Sequence, residues 1–460
     1  MPDFNAQTLA AWTGGRWTAQ PVSSLSGFTM DTRALRAGQV FVALKTEKRD
    51  GHTFLAAAHA AGASAALVAT PDTSIALPQL VVADPLAAFQ AIARAHRLTF
   101  RGPVIGISGS AGKTSTKNLL ALLLGGEGSG VLATEGNLNN HIGVPLTLTR
   151  LDSAVHTAAV IEAGISAPGD MAPLAAMIEP DVALITLVAP AHTQELGGLA
   201  GVAREKAVLP AAVRPTGLAI FPKQCAEFAP FRDLDVRQLV VERAEVVRPA
   251  EPPKDKVYFT ITQRGDSTAI ALAYGQPPPL VFTFRRVTDG MAQNAVLAIC
   301  AALWLGTSRE LIQQRLDAWQ PAKLRGELRH EDGRLLYLDC YNANPASMAD
   351  ALVTFHAIAP ATEPRLYVIG CMEELGAEAP AYHRMLGAAL ELRPQDRLFI
   401  IGTQAAAVQA GAGGRGEIVT SLQPVSACFT GWRGAVFVKG SRRYHLETML
   451  EPGSPVPVHA

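Results

Sequence analysis

The chain has 460 residues, enough for two to four domains, and its 40 basic and 40 acidic residues cancel, so we expect no broad basic surface and no nucleic-acid partner. Its five cysteines are widely spaced without a CxxC pair, which argues against a disulfide framework or a zinc site and fits a reducing compartment. Because no secretory leader and no uncharged apolar run of membrane-spanning length occurs, we expect a soluble, cytoplasmic protein without a membrane span.

The first part of the chain alternates short strands and helices. Residues 39–44 and 65–69 are predicted strands, and residues 53–61 form a predicted helix that Gly62 ends. Two polar clusters, Asp31-Thr-Arg33 and Asp50-Gly-His52, lie at the edges of apolar runs, where ligand loops tend to occur. Each cluster also fits an ordinary turn or cap.

A phosphate-binding loop is predicted next. The apolar run 104–108 leads into GSAGKTS at 109–115, and an apolar helix follows over 116–124. Glycines would let backbone N–H groups surround phosphate oxygens, and Lys113 would add a full positive charge. The general pattern wants a glycine at position 107, where this chain has isoleucine, so an ordinary glycine turn is the alternative.

Two further apolar runs, residues 158–163 and 182–188, are typical of buried strands in a mainly parallel sheet. They end near Glu162 and His192, on the sheet edge where ligands bind in such folds. From the residues alone, Glu162 also fits a partnered strand-end carboxylate, and His192 fits a structural histidine.

The remaining chain contains a more antiparallel part of the same domain and then a third unit. Residues 235–285 alternate apolar and polar side chains, and residues 292–305 are a predicted alanine-rich helix. A boundary is predicted near Trp319-Gln-Pro321. Four apolar strands separated by helices, at 335–339, 365–370, 397–402 and 435–440, indicate a doubly wound domain, and the tail after Pro452 is expected to be loose.

Five stretches together resemble the Mur ligase family across nearly the full chain. They are GSAGKTS at 109–115, TEGNLNNHIGVP at 134–145, IEAG at 161–164, APAH at 189–192 with EK at 205–206, and DCYNANPASM at 339–348. The resemblance implies an α/β protein of three domains: a UDP-substrate domain at 1–98, a central P-loop ATPase domain at 99–319 and a Rossmann-like domain at 320–460. We expect a monomer.

The YNANP segment, with MEELGAE at 372–378 and His383, resembles the family branch that adds D-alanyl-D-alanine to a UDP-muramoyl tripeptide. Such a ligase first transfers the γ-phosphoryl group of ATP to a carboxylate, and an amine then displaces the phosphate. The implied activity belongs to cytoplasmic peptidoglycan precursor synthesis. It needs ATP, two Mg²⁺ ions, UDP-muramoyl tripeptide and D-alanyl-D-alanine.

The resemblance also implies a set of site residues. The catalytic residues would be Lys113, Glu162, His192 and Lys206, and the metal ligands Thr114, Glu162, His192 and a carbamylated Lys206. ATP would contact Gly109, Ser110, Ala111, Gly112, Lys113, Thr114, Ser115, Asn294, Arg325, Asp339, Tyr341, Asn342 and Asn344. Substrate would contact Asp31, Thr32, Arg33, Asn139 and Asn140. Without the resemblance, Lys206 would be assigned as an exposed helix lysine.

Several positions depart from the family pattern. An asparagine is replaced by Leu187, a Gly-x-His-Asn segment reads Thr288-Asp-Gly-Met291, an aspartate is replaced by Cys371, and Arg325 precedes Gly326 instead of following it. Two alternatives therefore stay open: another amide ligase of this type, folylpolyglutamate-like or cyanophycin-like, and a non-catalytic nucleotide-binding relative.

Overall fold

The computed structural model describes residues 2–450 except positions 22, 127–129, 248–253 and 276. Three sheets organise these residues, one in each successive part of the chain. The α/β class and the three-unit architecture are as predicted. The expectation for the tail after Pro452 lies outside the described residues.

The N-terminal sheet has five strands in the order β1-β5-β4-β3-β2, with only β1 antiparallel to its neighbour. Its strands are β1 Arg16–Trp17, β2 Phe28–Thr29, β3 Val40–Val42, β4 Ala65–Val68 and β5 Gln79–Val81. Its helices are α1 Ala6–Thr13, α2 Leu55–Ala60 and α3 Pro85–Thr99, with a 3₁₀ turn at Gly51–Phe54 before α2. Gly62, at φ +91°, ends the predicted helix as expected.

The central sheet has nine strands in the order β14-β13-β12-β11-β10-β9-β6-β8-β7. These strands are β6 Val104–Ser108, β7 Val131–Ala133, β8 Ala158–Glu162, β9 Val182–Ile185, β10 Leu218–Pro222, β11 Gln238–Arg243, β12 Lys256–Arg264, β13 Ser267–Ala273 and β14 Leu280–Arg285. Neighbours from β7 to β12 run parallel, whereas β12, β13 and β14 are antiparallel, as the alternating pattern predicts.

Helices cover both faces of the central sheet. They are α4 Lys113–Gly125, α5 Gly143–Leu148, α6 Met171–Ile178, α7 Thr193–Leu196, α8 Leu199–Ala211, α9 Lys223–Ala226, α10 Ala229–Arg232, α11 Asp289–Trp304 and α12 Arg309–Ala318. Ile105 and Ile107 of β6 pack toward α4 and α11, while Val104 packs with α6 and α8 on the other face. Fully burying each such side chain contributes about 1.5–3 kcal/mol, which explains the continuous apolar run.

The C-terminal sheet has six strands in the order β15-β16-β20-β17-β18-β19, all parallel except the β15–β16 pair. Its strands are β15 Glu327–Glu331, β16 Arg334–Asp339, β17 Arg365–Gly370, β18 Arg397–Ile401, β19 Glu417–Ile418 and β20 Gly434–Lys439. Its helices are α13 Pro345–Ile358, α14 Ala379–Ala389, α15 Ala405–Gly411 and α16 Gln423–Gly431, with 3₁₀ turns at Gly376–Glu378, Arg442–Tyr444 and Leu446–Leu450.

Helix α3 fastens the N-terminal unit to the central one. The buried Arg97 guanidinium donates to the carbonyls of Ile178 and Glu179, each at 2.9 Å, and to the Asp181 carboxylate at 3.0 Å. Burial lowers the pKa of Arg97 to about 10, with Arg214 adding to this effect and Asp181 opposing it. A charged group that is buried and paired in this way fixes the position of α3 against the central unit.

Candidate active site

The loop between β6 and α4 has the conformation that its glycines permit. Gly109 and Gly112 adopt φ values of +145° and +78°. A Cβ at Gly109 would lie 1.8 Å from Thr186 Oγ1, and one at Gly112 would lie 2.1 Å from Asn294 Nδ2. Only glycine fits either position, because both the torsion and the available space exclude a side chain.

The end of β9 holds this loop in place. Ser110 N donates to Leu187 O at 2.8 Å, and Thr186 Oγ1 donates to Ala111 O at 2.5 Å. No side chain of the described residues caps α4 at Gly112. The first N–H groups of α4 are therefore available for an anion, next to a full lysine charge.

Lys113 begins α4 and lies in the cleft below the loop. Its Nζ donates to Gly109 O at 2.9 Å. Burial lowers the pKa of Lys113; the Glu162 carboxylate opposes this shift, and the Arg325 cation adds to it. Glu162 and Arg325 are therefore close enough for their charges to affect Lys113. Arg325 follows the central sheet in sequence, just before β15 of the C-terminal sheet.

Glu162 ends β8 and is only 1% exposed. Its Oε1 accepts from Asn139 Nδ2 at 2.8 Å, whereas its Oε2 is buried with no hydrogen-bond donor in the described structure. A buried carboxylate oxygen without a donor is costly unless a cation or ligand completes it. This unsatisfied oxygen fits a hard metal ion, since Mg²⁺ prefers oxygen ligands.

Lys117 is a second buried cation that sequence reasoning missed. It is 5% exposed, and its Nζ donates to Thr134 O at 2.5 Å. Burial lowers the pKa of Lys117, while Glu162 opposes this. Its spacing of four residues from Lys113 puts both lysines on the same face of α4. This spacing is the sequence feature that could have identified Lys117 as a site residue.

Lys206 of α8 is 3% exposed, so it is not the exposed helix lysine that the residues alone would indicate. The apolar packing of α8 against the sheet buries it, and burial lowers its pKa well below the usual range. The positive charge of Lys113 lowers the pKa further. An amine in this environment is neutral more readily than an ordinary lysine, which is the state that reacts with carbon dioxide.

His192 lies after β9 and meets the C-terminal unit. Its Nδ1 lies 2.7 Å from Glu374 Oε2. The hydrogen bond from His192 lowers the pKa of Glu374. Both residues adopt left-handed backbone torsions, φ 52° and 63°, which non-glycine residues keep only where surrounding contacts impose them. Sequence reasoning gave Glu374 no role, although it lies inside the MEELGAE segment.

A cleft of about 460 Å³ joins the loop to the C-terminal unit. Most of the predicted nucleotide residues line it together with two substrate and metal candidates: Ser110, Ala111, Gly112, Lys113, Thr114, Ser115, Asn139, Glu162, Asn294, Arg325, Asp339, Tyr341, Asn342 and Asn344. The Arg325 guanidinium stacks 3.9 Å from the centre of the Tyr341 ring. Asp339 pairs with Lys439 at 2.5 Å. The cleft is therefore lined by cations and amides from two units.

The other predicted residues lie elsewhere. Asp31 and Arg33 form an exposed ion pair of 2.7 Å within the N-terminal unit, outside the residues that line the cleft, and Thr32 lies between them. Asn140 Oδ1 accepts from Ile142 N and Gly143 N, so its side chain is engaged at the start of α5. The structure does not bring these four residues into the cleft, and Gly109, His192 and Lys206 are also not among the residues that line it.

Two features are absent from the part of the chain that the structure describes. No group of three or more histidine, cysteine, aspartate or glutamate side chains is arranged to hold a metal ion. A metal at this cleft would therefore need oxygens from the ligand as well as from Thr114 and Glu162. No helix within the described ranges is long and apolar enough to cross a membrane.

Comparison with known proteins gives matches along most of the chain. Residues 107–302 match the Mur ligase middle domain, and residues 324–437 match the Mur ligase, glutamate ligase domain. The chain is 33% identical over 444 residues to the UDP-N-acetylmuramoyl-tripeptide--D-alanyl-D-alanine ligase of Escherichia coli (strain K12), with 93% of each protein covered. The structure of MurF from Acinetobacter baumannii has 29% identity, a TM-score of 0.85 and 98% coverage of both chains. The MurF ligase of Thermotoga maritima, solved in complex with ADP, shares the fold at 22% identity and a TM-score of 0.78, covering 93% of this chain and 96% of that one.

Proposed function

The chain belongs to the Mur ligase family, and on that premise we propose that it joins D-alanyl-D-alanine to the peptide carboxylate of a UDP-N-acetylmuramoyl tripeptide, with conversion of ATP to ADP and phosphate. The Escherichia coli relative carries this activity in its name and matches over 93% of its length. The product is a peptidoglycan precursor, so the reaction serves cell wall synthesis, cell shape and division.

One observation carries the chemical part of this proposal. Lys113 of the P-loop, the unsatisfied Glu162 oxygen and Asn344 of the C-terminal unit line one cleft. A lysine and open helix N–H groups suit the phosphates of ATP, and a free carboxylate oxygen suits the accompanying cation. The C-terminal unit closes the same cleft and can exclude water from a reactive intermediate.

The first step activates the peptide carboxylate. A carboxylate oxygen attacks the γ-phosphorus of ATP, the bond to the β,γ-bridging oxygen breaks, and ADP leaves an acyl phosphate behind. Lys113 neutralises charge on the β,γ-phosphate oxygens, and Arg325 contributes charge from the C-terminal side. Both act mainly by positioning and charge neutralisation, because the protein forms no covalent bond to the phosphoryl group.

The second step forms the amide. The free amine of D-alanyl-D-alanine attacks the acyl carbon, and the tetrahedral intermediate expels phosphate while the nitrogen loses a proton. Asn139 lines the cleft, donates to Glu162 and would orient the carboxylate before and after activation. Closure through Asn344 keeps water from competing with the amine.

Two magnesium ions belong to the proposal. Thr114 and Glu162 would hold the first, and the buried, unsatisfied Glu162 oxygen fits that ion. His192 and Lys206 would hold the second, with Lys206 carrying a carbamate formed from its neutral amine and carbon dioxide with release of a proton. When bound, the ions supply positive charge to the phosphate oxygens.

The three units divide the remaining tasks. We assign residues 1–98 to the UDP end of the substrate, with Asp31, Thr32, Arg33 and Asn140 as candidate contacts, residues 99–319 to ATP, and residues 320–460 to closure and the amine. The five free cysteines are buried or partly buried, which fits a reducing compartment, and we place the protein in the cytoplasm as a monomer.

Coupled turnover tests the proposal. ADP release should require the UDP-muramoyl tripeptide and D-alanyl-D-alanine together, and Lys113→Ala should abolish it. Turnover with glutamate and a folate or a polypeptide would indicate another amide ligase of the family. ATP binding without turnover under every substrate combination would indicate the non-catalytic alternative, which the substitutions at Leu187, Met291 and Cys371 motivate.

A further inference from the structure

We propose that Asp350 of α13 is a positioning residue that docks the C-terminal unit on the first turn of α11 and thereby sets the ATP cleft. Asp350 has no role in the sequence assignments above. Its carboxylate accepts from Gly290 N, with both oxygens at 3.1 Å. Gly290 belongs to the central unit, 60 residues away in sequence, so this contact joins two units.

Thr288 extends the contact into a small network. Thr288 caps α11, its Oγ1 accepting from Met291 N at 3.0 Å. The Thr288 side chain also acts to lower the pKa of Asp350, which places the two groups beside each other. Two of the unsatisfied N–H groups that begin a helix are therefore satisfied, one by Thr288 and one by a carboxylate from another unit. A negative charge at this end of a helix is also favoured by the helix dipole.

A side chain at position 290 would collide with this carboxylate in its present position. A Cβ at Gly290 would lie 2.5 Å from Asp350 Oδ2. The sequence departs from the family pattern at Thr288-Asp-Gly-Met291, and glycine is what allows α13 to approach. Glycine at position 290 thus allows the Asp350 carboxylate to reach the backbone N–H.

Helix α11 connects this contact to the P-loop. Gly290 and Asn294 are one helical turn apart. Asn294 packs on Gly112, as the 2.1 Å approach of a hypothetical Cβ shows. Helix α13 also touches the loop directly, because Asn344 Nδ2 donates to Ser110 O at 3.0 Å. The P-loop, α11 and α13 therefore all contact one another, and Asp350 makes the contact between α13 and α11.

Asp350 itself lines the nucleotide cleft and is partly buried. Burial raises its pKa, while the Thr288 hydroxyl and the Gly290 N–H oppose this, and the neighbouring Asp289 and Asp339 charges add to the rise. Asp289 is directed elsewhere, since it pairs with Arg243 at 2.7 Å. The role rests on the proposed use of ATP and concerns binding and closure, which are measurable without ligation.

The test uses the full chain with Asp350→Ala, Asp350→Asn, Gly290→Ala and the double variant Asp350→Ala/Gly290→Ala. Asp233→Ala is the control, an exposed aspartate at the end of α10. Measurements are the Kd of a non-hydrolysable ATP analogue, the radius of gyration by small-angle X-ray scattering, and KM for ATP against kcat. A thermal melt of each variant verifies folding.

Asp350→Ala should weaken analogue binding about tenfold, equivalent to about 1.4 kcal/mol, raise KM for ATP by a similar factor and enlarge the radius of gyration. The kcat should fall less than about threefold, and Asp350→Asn should be intermediate. Gly290→Ala should weaken binding in the wild type but add little once Asp350 is alanine, because the clash has lost its partner. A missing ligation product would count against the proposed function, yet it leaves the Kd and scattering measurements valid.

The proposal is overturned if Asp350→Ala binds the analogue within twofold of wild type with an unchanged radius of gyration. Full additivity of the two substitutions would overturn it as well. A purely structural role would lower the melting temperature without changing the Kd of the folded protein.

Discussion

Asn344 Nδ2 of the C-terminal unit donates to the P-loop carbonyl of Ser110 at 3.0 Å, and the same side chain caps α13 through its Oδ1. One residue thus starts a helix and holds two units together. Because Oδ1 serves the helix and Nδ2 serves the loop, substitutions can separate the two tasks.

Asn344→Ser should keep the helix cap and lose the bond to Ser110, since serine caps about as well as asparagine. We expect an unchanged melting temperature and a KM for ATP raised about fivefold to tenfold. Asn344→Ala should add a loss of about 1 kcal/mol in the free energy of unfolding. Steady-state kinetics and thermal melts of both variants check this, and equal KM values for Asn344→Ser and wild type would contradict it.

Glu374→Gln should raise the magnesium concentration for half-maximal turnover about tenfold to a hundredfold. Glu374 pairs with His192, our proposed magnesium ligand, and such hydrogen-bond partners fix the orientation of a metal-ligating histidine. The pair is exposed enough that its effect on stability should be small. A magnesium titration at saturating substrates measures the shift. Glu378→Gln, in the following 3₁₀ turn, is the matched control. An unchanged magnesium requirement in Glu374→Gln would show that Glu374 does not support magnesium binding.

Lys206 should give a carbamate signal when the protein is equilibrated with ¹³C-bicarbonate, because its amine is buried and its pKa is lowered. Lys206→Arg places a permanent cation where the account has a neutral amine or a carbamate, and it cannot form the carbamate, so it should lose both the ¹³C NMR signal and at least about a hundredfold in kcat, within the range of strong electrostatic contributions. Lys223→Arg, an exposed lysine paired with Glu242, should retain both. Full activity of Lys206→Arg would refute a role for the carbamate.

Asp396 should make the C-terminal unit sensitive to acid. Burial acts to raise its pKa, but hydrogen bonds from the Arg393 side chain and from the Arg393 and Arg365 N–H groups outweigh it, so the pKa is lowered overall. A lowered folded pKa contributes stability above the unfolded value of about 3.9, and this contribution is lost as pH falls through the folded pKa.

Asp396→Asn should therefore cost about 3 kcal/mol at pH 7 and lower the melting temperature by several degrees. The difference from wild type should shrink as pH falls below about 4. Melts from pH 7 to pH 3 measure it, with the exposed Asp233→Asn as the control. A difference that stays constant over this range would show that Asp396 acts through packing alone.

The fold could be predicted from sequence because its parallel strands are buried on both faces. The apolar runs of β6, β8 and β9 left little choice of structure, and GSAGKTS fixed the loop between β6 and α4. Helix α11 begins three residues earlier than predicted, since Thr288 caps it, and a cap before a weakly apolar first turn gives little periodic signal.

The contacts between units could not be predicted in the same way. Glu374 and Asp350 reach the central unit only because the C-terminal sheet docks beside the P-loop, and no local pattern encodes that approach. The burial of Lys206 depends on how α8 packs on the sheet, so composition alone suggested an exposed lysine. The residues that line the cleft could be predicted mainly where they belong to a sequence motif.

We propose that the peptide carboxylate is activated by phosphoryl transfer from ATP. A UDP-muramoyl tripeptide with ¹⁸O in that carboxylate tests it directly, using D-alanyl-D-alanine, ATP and the wild-type protein. We expect each phosphate released to carry one ¹⁸O from the carboxylate, and mass spectrometry to find the UDP-muramoyl pentapeptide in equal amount. Phosphate without ¹⁸O would contradict the account, because its new oxygen would then have come from water.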